Sequence, residues 1–74
     1  MSAFPPSPAP AEVAAARAKS GLTQTEAAAL VYSTFRTWQN WESGARNMPP
    51  ALWELWQYKA LRVPIPAGLA QGPR

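Results

Sequence analysis

The chain has 74 residues with seven Lys/Arg against four Asp/Glu, a formal net charge of +3 and an isoelectric point near 10. It contains no cysteine and no histidine, which removes disulfides, thiolate chemistry, the commonest metal ligand and the commonest general base. The carboxylates Glu12, Glu26, Glu42 and Glu54 are scattered without paired acid/base spacing, so neither an enzyme nor a metal or cofactor protein is expected.

A chain of this size supports one compact domain with a core a few helices deep. Met1 to Pro10 has no basic segment followed by an apolar run, so no secretory signal is expected, and no stretch is apolar enough to span a membrane. A cytoplasmic, reducing compartment fits these features. The excess of positive charge favours a polyanionic partner.

Residues 1–10 hold four prolines and are read as a disordered, Pro-rich tail. Pro5 and Pro8 have the PxxP spacing that aromatic-grooved domains bind, but an extended tail needs no such partner. The expected domain covers residues 11–66. Its first helix runs from Ala11 to Ser20, alanine-rich with Arg17 and Lys19, and Gly21 supplies a C-terminal cap. Thr23 with Glu26 three residues on forms a capping box for a second helix from Gln24 to about Val31. Tyr32-Ser33-Thr34 marks a short break, because Ser33 and Thr34 compete for local backbone hydrogen bonds.

A third helix is expected over Phe35–Ser43, with Thr34 as N-cap and Gly44 ending it. Arg46-Asn47-Met48 reads as a loop. Pro49 and Pro50 suit the first turn of a fourth helix reaching Leu61, with Leu52, Leu55, Trp56 and Lys59 on one stripe. Val63-Pro64-Ile65-Pro66 stops it, and residues 67–74 read as a flexible C-terminal tail. There is no repeat and no strand alternation. The fold class is all-α, with four or five helices.

Two helices joined by a turn of three or four residues, the second opened by a hydroxyl cap, make the geometry that places a helix in the major groove. The string Gly21-Leu22-Thr23-Gln24, then Ala28, Val31, Thr34, Thr37, Trp38, Trp41-Glu42 and Gly44, resembles the Cro and phage-repressor class of helix-turn-helix regulators, the Xre family, over roughly Val13 to Val63. Registering Gly21-Leu22 and Trp41-Glu42 from both ends puts Thr34 at the cap without a gap. The resemblance implies a lambda-repressor-like domain, an operator-binding repressor of the kind carried by phages, plasmids and other mobile elements, including regulators linked to anti-CRISPR genes. It also implies an ion pair between Arg17 and Glu42.

Three departures from the family pattern stand out. Tyr32 occupies the turn position that usually holds glycine, where a Cβ makes a left-handed backbone costly, so the turn is expected to differ locally. Ala16 and Ala27 are smaller than usual, while Trp38 is larger. These read together as a volume trade, with the indole filling space the alanines leave.

With Thr34 as cap, Phe35, Arg36, Gln39 and Asn40 point outward while Trp38 and Trp41 turn inward. The outward set suits base edges: Arg36 for guanine, Gln39 or Asn40 for adenine, Phe35 for a thymine methyl. Phosphate contacts are expected from Thr23, Gln24, Thr34, Thr37, Ser43, Arg46 and Asn47. The four tryptophans also invite a single-strand stacking role, but their spacing fits core packing better. The expected partners are a pseudo-palindromic duplex operator and a second copy of the chain, with half-sites about 34 Å apart and Trp53, Trp56, Leu61, Val63 and Ile65 as interface. No effector domain is visible, so no small-molecule effector is expected. An antitoxin that also binds a toxin, and an interaction adaptor that has lost DNA binding, are the alternative readings.

Overall fold

The computed structural model describes residues 7–63. They form four α-helices in the order α1 (Pro10–Ser20), α2 (Gln24–Leu30), α3 (Phe35–Ser43) and α4 (Pro50–Leu61). No strand occurs among the described residues. None of these helices is long and apolar enough to cross a membrane.

Each helix begins where local chemistry satisfies its free amides. Pro10 takes the first position of α1, and the Glu12 carboxylate accepts from the Ala9 N–H at 2.8 Å, which also places a negative charge at the positive end of the helix dipole. The expectation that the tail runs through Pro10 is corrected on two counts: Pro10 is helical and Pro8 is buried. Proline lacks an amide that the first helical turn would leave unpaired anyway, so the residue that ends a helix elsewhere starts this one. At α2 the capping box forms in full, with Thr23 N–H donating to Glu26 at 2.9 Å and Glu26 N–H to the Thr23 hydroxyl at 3.1 Å. Thr34 caps α3 by accepting from Thr37 N–H at 3.2 Å.

Helix α3 packs on α1 and α2, and α4 packs on α2. The buried core takes Val13 from α1, Ala27, Ala28 and Val31 from α2 and its end, Trp38 and Trp41 from α3, and Trp56 from α4, with Met48 entering from the α3–α4 loop. The Trp56 indole reaches the α2 backbone at Ala27, where its Nε1–H donates to Ala27 O at 3.1 Å. Trp38 lies 5.3 Å from Trp56 and 5.6 Å from Trp41 between ring centroids, the latter pair edge to face, separations at which aromatic pairs attract beyond simple burial. Small residues on α2 and a fully buried Trp38 thus occur together, as the volume trade requires.

The turn between α2 and α3 is built around Tyr32. Tyr32 itself adopts the left-handed conformation, φ 60°, and the chain closes the helix as a glycine would: Tyr32 N–H donates to Ala29 and Ser33 N–H to Ala28, at 3.1 and 3.0 Å. The Cβ of Tyr32 thus does not keep this residue out of the left-handed region. The backbone bonds, and the contacts Tyr32 and its neighbours make with α4 described below, offset the cost of the Cβ.

Candidate nucleic-acid interface

Helix α3 divides cleanly by face. Trp38 and Trp41 are buried, whereas Phe35, Arg36 and Gln39 are exposed, Phe35 to 44%. Three outward positions that carry an arginine, an amide and a ring give this face both hydrogen-bonding and apolar reach. Asn40 is only half-buried. It lines a shallow cleft of about 340 Å³ with Thr37, Trp41, Arg46, Asn47 and Pro49. Asn40 thus sits at the margin of the outward face instead of at its centre.

Among the expected backbone-contact residues, Thr23, Thr34, Ser43, Arg46 and Asn47 are exposed and Thr37 is half-buried. Thr23 and Thr34 hold caps, and Ser43 Oγ donates to Asn40 O at 3.2 Å. A hydroxyl accepting from a backbone amide keeps its own proton for another acceptor; Thr34 spends that proton on Thr37 Oγ1 at 3.1 Å. Gln24 departs from its expected role. Its side-chain amide donates to Glu42 Oε1 at 3.0 Å, so one of its two N–H groups points into the protein and only the other is left for an outside acceptor.

Glu42 is the organising group beneath this surface. Its carboxylate accepts from Arg17 through both Nε and Nη2, from Gln24 Nε2 and from Trp38 Nε1, while Arg17 Nη1 also donates to Leu22 O at 3.2 Å. One side chain on α3 is thereby tied to α1, to α2 and to the loop between them. The side chains of Arg17 and Glu42 retain 25% and 10% of their accessible surface. Burial pushes the Glu42 carboxyl up, but the donors Arg17, Trp38 and Gln24, with the guanidinium charge, outweigh it and hold the group below the usual carboxylate range. Arg17 is correspondingly raised, chiefly by its bond to Glu42. A carboxylate near a helix C-terminus opposes the dipole, and the paired guanidinium cancels that charge close to the exposed face.

Sequence reasoning missed Met48 and Pro8, both buried from irregular segments where no periodicity marks an inward position. Lys59 was placed on the apolar stripe of α4 without a role. A cation at such a position signals a concealed acceptor, and here Lys59 Nζ donates to Leu30 O at 2.7 Å and to the Tyr32 hydroxyl at 3.1 Å.

The residues expected at a dimer interface separate. Trp56 is fully buried within the protomer and donates to Ala27 O at 3.1 Å, so it has no surface to offer a second copy; the stripe it shares with Leu52 and Leu55 faces inward. Leu61 is half-buried against the core. Trp53 stacks on Trp56 with centroids 5.9 Å apart and planes inclined by 4°, leaving it half-buried. Val63 is exposed, and Ile65 lies outside the described residues. Tyr58, at 45% exposure, is the large side chain on this side that the sequence did not single out.

Comparison of the chain with protein-family models and with curated proteins finds no match.

Proposed function

We propose that the chain is a sequence-specific duplex DNA-binding regulator of lambda-repressor-like architecture, with α3 as the helix that enters the major groove. The observation that carries the reading is the split of α3, which buries Trp38 and Trp41 while leaving Phe35, Arg36 and Gln39 outside. Solvation alone gives no reason for an exposed phenylalanine beside an arginine on this face. An arginine fork matches guanine in the major groove, glutamine matches adenine, and a ring meets a thymine methyl.

Supporting this are the Thr34 cap, the four-residue break before α3 and the motif resemblance through Gly21-Leu22-Thr23-Gln24 and Trp41-Glu42-Ser43-Gly44. Charge supports it too: Arg36 lies on the face and Arg46 beside it, and the one carboxylate of α3 is neutralised by Arg17. In this reading Arg46, Asn47, Thr37 and the margin residue Asn40 grip the backbone at the cleft beside α3, and Gln24 contributes one amide proton while its other steadies Glu42. Binding as a homodimer on an operator with two-fold symmetry supplies the affinity that one small module lacks; its interface would draw on Trp53, Tyr58 and Val63, without Trp56. Repression in this reading follows from occupying a promoter.

Selection from a randomised duplex pool, followed by fluorescence anisotropy between about 50 and 200 mM salt, tests the proposal. The expected result is an enriched motif with two-fold symmetry and an affinity that falls linearly on a log–log salt plot. A pool with no enriched motif and no salt-dependent binding would refute it in favour of an adaptor.

A further inference from the structure

The last turn of α2 leaves four carbonyls without helical partners, and the structure accounts for each. Ala28 O accepts from Ser33 N–H and Ala29 O from Tyr32 N–H within the turn. The other two are capped from α4: Ala27 O by Trp56 Nε1 at 3.1 Å, and Leu30 O by Lys59 Nζ at 2.7 Å. Lys59 also lies over the Tyr32 ring, 4.4 Å from its centroid, and bonds its hydroxyl. Tyr32 is otherwise 85% exposed, so packing does not hold it in the left-handed conformation that its Cβ disfavours.

We infer that Lys59, supported by Trp56, is the positioning residue that closes the α2–α3 turn and thereby sets the angle at which α3 is presented. The argument is one of compensation. A tyrosine at φ 60° costs free energy that a glycine does not, and the turn persists because an ammonium on a neighbouring helix completes the carbonyl shell directly before it. A charged donor on a helix C-terminal carbonyl is a strong bond aligned with the dipole. It acts through Leu30 O on the backbone and through the ring of Tyr32, so the chain just before the left-handed residue and that residue's own side chain are both anchored to α4. In the duplex-binding reading, on which only the last part of the test rests, loosening this turn would let α3 swing and weaken recognition without any contact between Lys59 and DNA.

The test is amide hydrogen exchange on the free protein, comparing Lys59→Met in three backgrounds. With Tyr32 present, exchange at the Tyr32 and Ser33 amides should speed up about tenfold, the effect expected for losing one charge-assisted bond, while the Gly44 amide at the far end of α3 stays unchanged. In a Tyr32→Ala background, which keeps the Cβ and lacks the ring, Lys59→Met should still open the turn. In a Tyr32→Gly background the effect should largely vanish, because glycine needs no compensation. Equal effects in the alanine and glycine backgrounds, no effect with Tyr32 present, or uniform acceleration that includes Gly44 would each overturn the inference. If Lys59→Met does not fold, Lys59→Gln, which is neutral but still polar, takes its place with the same expectations. Anisotropy on the selected duplex then adds that Lys59→Met weakens binding about tenfold and that Tyr32→Gly restores it. Absence of any duplex binding by the unmodified chain counts against the proposed function, while the exchange result stands independently.

Discussion

Replacing Glu42 by alanine should be among the most damaging single changes to a side chain outside the buried core, and the structure sets its size. The substitution strands three donors at once: the Arg17 guanidinium, the Gln24 amide and the indole N–H of Trp38. Arg17 and Gln24 are half-buried and can turn to water, so their loss contributes about 0.5–1 kcal/mol after solvent screening. Trp38 is fully buried; its N–H has no such escape, and an unsatisfied buried donor costs about 1–3 kcal/mol. The sum is about 1.5–4 kcal/mol, a large part of what a domain of this size possesses. A drop in melting temperature on the order of 10–30 °C follows.

Urea denaturation monitored by tryptophan fluorescence measures the loss directly. Pairing Glu42→Ala with Trp38→Phe separates the indole contribution, because Glu42→Ala should cost about 1 kcal/mol in the phenylalanine background, where no indole N–H remains to be stranded. Acid titration supplies a second check. The native Glu42 carboxyl sits below its ordinary value of 4.5, so its contribution is present above that pH and is lost as pH falls through the native value. Glu42→Gln should therefore be less stable than the parent near neutrality, and the gap should narrow steadily below about pH 4.5. A loss under about 0.5 kcal/mol for Glu42→Ala, or a gap for Glu42→Gln that is the same at pH 7 and pH 3, would refute the claim that this carboxylate organises α1, α2 and α3.

Trp38→Ala should leave a cavity worth about 3–5 kcal/mol and give no cooperative thermal transition, while Trp38→Ile should fold only when Ala27 is enlarged as well, which circular dichroism melts of the single and double variants will show. Gly44→Ala is expected to cost about 1–2 kcal/mol, since Gly44 sits at φ 87° and an added Cβ would lie 3.3 Å from Pro10 Cγ; an unchanged melting temperature would contradict this. For duplex binding, Arg36→Ala should lose about 1–3 kcal/mol of discrimination at one base position. Arg46→Ala should weaken binding to all sequences alike and reduce the salt slope by about one unit, and parental behaviour from both variants in anisotropy titrations would refute the docking.

The helices themselves were legible because their boundaries are local. Thr23 with Glu26, Thr34 with Thr37, and the glycines at 21 and 44 act within one turn of chain, and each works where the sequence placed it. The outward positions of Phe35, Arg36 and Gln39 followed from helical period, as did the burial of Trp38 and Trp41, whereas Asn40, expected outward, is half-buried. Partner choice was not legible in the same way. Whether Gln24 points to solvent or to Glu42, whether Trp56 faces a second chain or the α2 backbone, and how a tyrosine can occupy a left-handed turn all depend on residues 18 to 29 positions away. Hydrogen bonds of that span are set by how α2, α3 and α4 pack, and packing is a property of all the side-chain volumes at once. Local sequence determined where the four helices lie and which face α3 turns outward; tertiary structure decided which polar groups remain available on that face, because only the assembled core fixes what each of them must satisfy first.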